Sequence, residues 1–219
     1  MHGNPVYFYF DFLSPYAYIA WTQIHALAHK YQRSVQPTPI LFGALLKHWG
    51  QRAPIEHPAR RNYIFCDALR TATRLRVPLF PPKIHPFNPL LALRTCLVVK
   101  DQPQRQKLLI DKLFASVWAG GPGIIEPEVI RLFLNELELD GTTILQQTEN
   151  ETIKLQLRNN TEQAIDQNIF GVPSLVVDGE LFWGFDSFSN LEGFLGGNLK
   201  WDREIINTWN QHSVHSVKF

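Results

Sequence analysis

Two rhythms of apolar residues alternate along this chain. Residues 6–12 (VYFYFDF) are almost all β-branched or aromatic. Such a run predicts a strand covered on both faces, in the middle of an α/β sheet. From Pro15 onward the apolar side chains recur at Ala17, Ala20, Trp21, Ile24, Leu27, Ala28 and Tyr31, which is helical spacing. Ser14 as N-cap and Pro15 in the first turn give that helix a defined start. Residues 35–42 read as extended again, and Pro37 and Pro39 favour a sheet edge.

A long helical stretch follows. Tyr63, Cys66, Leu69 and Thr73 are helically spaced, ahead of a proline-rich loop at 77–88. Asn88-Pro89 repeats the cap-plus-proline start and opens a helix through Val99. Pro103 opens another, in which Leu109, Leu113 and Val117 form one stripe and Ile110, Phe114 and Trp118 its neighbour. After the break at Gly120-Gly121-Pro122-Gly123, Pro127 starts a short helix that Asp140-Gly141 ends, and a last helix spans 151–168. Strand signals return only at Gly171. Ser174 to Val177 and Glu180 to Trp183 flank Asp178-Gly179, a strong hairpin signal, and 187–195 reads as a closing helix.

Neither strand-bearing end can bury its apolar strands alone, because an isolated hairpin is marginal in water. One sheet made from both ends solves this. The expected fold is an α/β, thioredoxin-like domain in the order βαβ…ββα, formed by residues 1–42 and 169–219, with residues 43–168 as a large all-helical insertion. That is a DsbA-like topology.

Composition changes this picture little. Lys and Arg number 21 against 20 Asp and Glu, so no global field draws the chain to nucleic acid or an acidic membrane. No run of about 18 apolar residues is present to cross a bilayer. Two cysteines, Cys66 and Cys96, are too few for a disulfide scaffold. They read as small buried hydrophobes. No basic run precedes the first strand, so no signal peptide is expected, and the expected location is cytoplasmic.

Four segments together resemble a known family. These are Phe10 to Tyr18 (FDFLSPYAY), Pro58-Ala59-Arg60-Arg61-Asn62-Tyr63, Pro86-Phe87-Asn88 followed by Arg94, and Gly171-Val172-Pro173 through Phe182-Trp183-Gly184-Phe185-Asp186. In order and spacing they are similar to the 2-hydroxychromene-2-carboxylate isomerases and kappa-class glutathione transferases. The resemblance implies glutathione as cofactor, with Ser14 hydrogen-bonding its sulfur and Pro15 and Tyr16 beside it. Val172 before a cis Pro173 would pair its main chain with the tripeptide, and Trp183, Gly184, Phe185 and Asp186 would hold the γ-glutamyl end. On the substrate side it points to Gln51 and Arg60, with Asn88 in the proline-rich loop. Beside the resemblance, Trp49 is expected among the aromatic walls of a pocket over the sulfur, and Arg60 is the candidate to take the carboxylate of a small aromatic substrate. A homodimer is implied as well. The chain departs from the family at Gln51 (usually Asn), Arg60 (usually Lys) and Ser187 (where the usual run ends in Asp-Arg).

Each of these residues also has an ordinary structural role. Ser14, Asn88 and Asp186 are frequent helix caps. Pro173 suits a strand edge, and Gly171 permits close backbone approach. The arginines at 60, 61, 70, 74 and 76 fit a solvated helix face. His25 and His29 stand four apart, but no third ligand accompanies them, so no metal site is expected.

Three functions follow. An isomerase would add the glutathione thiolate to a conjugated double bond, allow rotation, and eliminate it again. A transferase would release the adduct, and a non-catalytic thiol- or peptide-binding module would do neither. A disulfide oxidoreductase is rejected, since Ser14-Pro15-Tyr16-Ala17 stands where Cys-x-x-Cys is required.

Overall fold

The computed structural model describes residues 3–211. In chain order the elements are β1 (Val6–Phe10), α1 (Pro15–Lys30), β2 (Val35–Pro39), α2 (Phe42–His48), α3 (Pro58–Leu75) and α4 (Leu90–Val98). They continue with α5 (Pro103–Trp118), α6 (Pro127–Glu136), α7 (Gly141–Gln147), α8 (Glu151–Asp166), β3 (Ser174–Val177), β4 (Glu180–Trp183), α9 (Phe188–Leu195) and α10 (Arg203–Gln211). Both ends contribute to one sheet in the order β2-β1-β3-β4. β1 runs parallel to β2, with Val6 opposite Val35, and antiparallel to β3, with Phe8 opposite Leu175. The hairpin closes through Asp178 and Gly179, both at positive φ (51° and 82°), as a tight two-residue turn requires. β2 lies at an edge, where its prolines leave no ladder bond unmade.

The sheet separates two cores. On one face Phe8, Phe10 and Phe12 pack with Trp21 of α1 and Phe114 of α5, with Phe12 and Phe114 centroids 4.7 Å apart. Both stripes of α5 are buried there, so the helical segment shares its main core with the strands. Fully burying each such side chain contributes about 1.5–3 kcal/mol. On the other face Tyr9, Ile40, Leu45, Ala164, Ile169 and Val172 form a smaller cluster under α2 and α8.

Four sequence expectations need correction. The first strand ends at Phe10, not Phe12, because Asp11 turns the chain: Ser14 N donates to the Asp11 carbonyl (3.3 Å) and Leu13 N to its carboxylate (3.1 Å). Tyr7 is 42% exposed, so that strand is not covered throughout. Residues 40–42 leave the extended path, and α2, unforeseen, starts at Phe42. Asp140-Gly141 opens α7 rather than closing α6, the Asp140 carboxylate accepting from Thr143 N (3.0 Å). The expected first domain includes 1, 2 and 212–219, which lie outside the described residues.

Candidate active site

Ser14 sits at the N-terminus of α1 with extended backbone (φ −97°, ψ 119°). Its Oγ accepts from Ala17 N (3.1 Å) and donates to the Val172 carbonyl (3.2 Å). The Val172–Pro173 peptide is cis. Two segments 158 residues apart thus meet through one buried hydroxyl that also caps α1. Pro15 is buried beneath the first turn.

Tyr16 OH donates to Asp67 Oδ2 (2.7 Å), with the Ile64 carbonyl at 3.4 Å. Burial first, then the Asp67 carboxylate, hold the phenol well above its usual range; the Asp186 charge adds to this. Asp186 is exposed and follows Gly184, whose φ of 79° admits only a residue tolerant of the left-handed region. Asp186 Oδ1 occupies the place a Gly184 Cβ would need. Gly184 N donates to the Pro173 carbonyl (2.9 Å) and Ser187 Oγ to the Gly184 carbonyl (2.8 Å). The Trp183-to-Asp186 turn is therefore tied to the cis peptide. Trp183, 51% exposed, packs on Phe170 (4.9 Å between centroids), and its indole fills the space that Gly171 leaves open.

No hydrogen bond or ion pair among the described residues links the residues assigned to the substrate side. Trp49 Nε1 donates to the Ile169 carbonyl (2.8 Å), fixing the segment that leads to Val172. Gln51 is exposed just beyond α2, and Arg60 is exposed in the first turn of α3. Asn88 Oδ1 accepts from Leu90 N (3.0 Å), a local bond two residues along the chain at the start of α4.

Three residues to which sequence reasoning assigned no part in the site hold the Ser14 loop. Asp11 is fully buried and accepts from Leu13 N (3.1 Å) and Phe42 N (3.0 Å). Burial pushes its carboxyl up to about 7, against the pull of bonds from Phe42, Leu13 and Phe12. His85 Nε2 donates to the Leu13 carbonyl (2.9 Å), and burial holds its pKa below the ordinary histidine value. The peptide joining it to Pro86 is also cis. Trp118 Nε1 donates to the Phe12 carbonyl (2.9 Å). An acid inside an apolar run was the one available signal for Asp11; His85 and Trp118 carried none.

Both cysteines are free. Cys96 is buried, while Cys66 is only half-buried, with Sγ 3.9 Å from Asn62 Oδ1. Neither stands at the N-terminus of α1. No helix among the described residues is long and apolar enough to cross a membrane.

The chain is similar to known proteins over most of its length. It is 28% identical to glutathione S-transferase kappa 1 of Caenorhabditis elegans, covering 83% of this chain and 86% of the relative. It is 26% identical to 2-hydroxychromene-2-carboxylate isomerase of a Pseudomonas species (strain C18), covering 87% and 89%. Among solved structures, a 2-hydroxychromene-2-carboxylate isomerase superposes with a TM-score of 0.80 at 23% identity, over 95% of this chain and 99% of that one. The sequence model of the DSBA-like thioredoxin domain matches residues 5–196. With that match and the order β2-β1-β3-β4, the chain belongs to the DSBA-like thioredoxin domain family.

Proposed function

We propose that the chain is a glutathione-dependent enzyme that isomerises a conjugated aromatic carboxylic acid by thiolate addition and elimination. The observation that carries this reading is the Ser14 hydroxyl, held at a helix N-terminus within 3.2 Å of the Val172 carbonyl. An extended peptide pairing with Val172 would bring an amide N–H to that carbonyl. The Ser14 proton, released from it, would turn to a bound sulfur while Oγ keeps its bond from Ala17 N. A free thiol near 8.5 is only a few per cent ionised at neutral pH, and lowering it by two pKa units takes about 2.7 kcal/mol. A hydrogen bond to a charged group gives about 1.5–3 kcal/mol and a helix N-terminus about 0.3–1. Together they suffice.

In the reaction the thiolate forms a C–S bond to the β-carbon, and the π pair moves onto the conjugated oxygen. The former double bond rotates, the electron pair returns, and the C–S bond breaks. Glutathione emerges unchanged. Trp183 to Asp186 would hold the γ-glutamyl end, with Asp186 pairing its ammonium. A transferase reading is favoured by the similarity to the nematode kappa 1 enzyme; it needs the same thiolate but no elimination.

Ser14→Ala tests the proposal. Glutathione-dependent turnover should fall about ten- to hundredfold, while folding stability drops by about 0.5–2 kcal/mol, the worth of a cap. Full activity in this variant would sink the assignment. Thiol titration during turnover separates the two chemistries, since an isomerase leaves free glutathione constant and a transferase consumes it.

A further inference from the structure

The two walls of the candidate site come from segments far apart in the chain, and the short helix α2 touches both. At its start Phe42 N donates to Asp11 Oδ2 (3.0 Å), while Leu13 N donates to Asp11 Oδ1 (3.1 Å). One buried carboxyl therefore holds the first turn of α2 to the residue before Ser14. At its end the Trp49 indole N–H donates to the Ile169 carbonyl (2.8 Å), on the segment that runs into Val172. Between these anchors Leu45 packs in one cluster with Ile169 and Val172, and Phe42 lies against the same cluster. Leu41 N, just ahead of the helix, donates to Thr161 Oγ1 (3.1 Å) on α8.

These contacts exceed what α2 needs for its own sake. Trp49 is 38% exposed, so water could satisfy its N–H without a carbonyl 120 residues away. The segment it grips is tied at each following residue. Phe170 packs on Trp183 (4.9 Å between centroids), the Gly171 carbonyl accepts from Ser174 Oγ (2.8 Å), and the Val172 carbonyl accepts from Ser14 Oγ (3.2 Å). A displacement at Ile169 therefore reaches Val172 with little slack. We propose that α2 is a strut that fixes the spacing between the Ser14 hydroxyl and the Val172 carbonyl, with Asp11 and Trp49 as positioning residues at its two ends. Each acts through the helix rather than on the sulfur. A hydrogen bond weakens steeply with misalignment, and a misplacement of about 1 Å can cost about a hundredfold in rate. Fixed spacing is what lets one hydroxyl hold a thiolate. Trp49, expected in the wall of a substrate pocket, has this role instead. The inference rests on the glutathione-dependent reading above, and it names residues beyond the sulfur that set its ionisation.

Trp49→Phe tests this by removing the N–H while keeping an aromatic ring. The first readout is amide hydrogen exchange in the full chain without ligand. Exchange at Phe42 and Leu13, at the opposite end of α2, should quicken about tenfold more than at the amides of α5, which report global unfolding. Coupling between two ends is reciprocal, so Asp11→Asn should quicken exchange of the Trp49 indole proton. The second readout is the ultraviolet absorbance of the thiolate in the chain saturated with glutathione. At neutral pH Trp49→Phe should lower the thiolate fraction about threefold, which a loss of stability does not do in a chain that is still folded. Unchanged exchange at Phe42 and Leu13 overturns the inference, and so does an unchanged thiolate fraction where exchange has quickened. Quickened exchange in a chain that ionises no glutathione even as wild type upholds the strut and removes the thiol chemistry assigned above. Circular dichroism confirms that Trp49→Phe is folded; if it is not, Asp11→Asn carries the same comparison from the other end of the helix.

Discussion

At the scale of single residues, Asp11 is the group whose charge state matters most. A carboxyl moved from 3.8 to about 7 binds its proton in the folded chain while the unfolded chain has released it. Between these values the native state holds more protons, so stability falls as pH rises; the effect is absent below about 4 and complete above about 7. Its size is on the order of 4 kcal/mol. His25 acts in the opposite sense: burial lowers it to about 4, so stability rises with pH from there to the unfolded value near 6.5. An Asp11→Asn variant keeps His25 and His85, so its difference from the wild type isolates Asp11. Thermal unfolding at pH 5 and pH 8 should show the wild type losing stability relative to the variant at pH 8, because in the variant the rise with pH from the buried histidines is no longer opposed. Asn also turns an N–H toward Leu13 or Phe42, so its absolute stability at pH 5 should be lower. Parallel pH profiles would mean that Asp11 does not titrate in this range. The sequence marked Ser14 by its place between a strand and a proline-started helix, and the structure puts it beside Val172. It gave no means of finding His85 or Trp118, whose partners are backbone carbonyls more than 70 residues away in the chain.

At the scale of elements, legibility followed how local the cause was. The hairpin was read residue for residue because Asp178-Gly179 carries its own turn chemistry. The helices α1, α4 and α5 were read from period and proline starts. The seven-residue α2 was missed. It contains Gly43, follows a proline-containing strand, and begins where Phe42 N finds the Asp11 carboxylate, a tertiary event. The start of α7 was mistaken for a stop because Asp-Gly suits both. The structure explains that glycine by proximity rather than by φ. A Cβ at Gly141 would lie 2.7 Å from the Arg131 carbonyl oxygen, and Gly141 N already donates to Asn135 Oδ1 (3.1 Å). Gly141→Ala raises intrinsic helix propensity by about 1 kcal/mol. Forcing α7 from α6 should cost about 1–3 kcal/mol, so the variant should be the less stable in urea unfolding. A stabilised Gly141→Ala would show that α6 and α7 shift apart freely.

At the scale of the molecule, the sheet could be foreseen because apolar strands at both ends have nowhere else to go. The larger core joining Phe10, Trp21 and Phe114 could not, since nothing local in α5 says that its two stripes meet β1 and α1. The same reasoning from unburied apolar surface applies to association. Ile205, Ile206 and Trp209 share one side of α10 and are 53%, 37% and 67% exposed, on a nine-residue helix too short to be stable by itself. We propose that this face is covered in a two-fold symmetric homodimer, the commonest closed assembly. Light scattering at micromolar concentration should then give about twice the chain mass of 25.3 kDa. Ile206→Glu should lower it toward the monomer value, since burying a charge without a partner costs several kcal/mol. A wild-type mass of one chain would rule out the dimer, whereas a dimer indifferent to Ile206→Glu would keep the assembly and place its interface elsewhere than on α10.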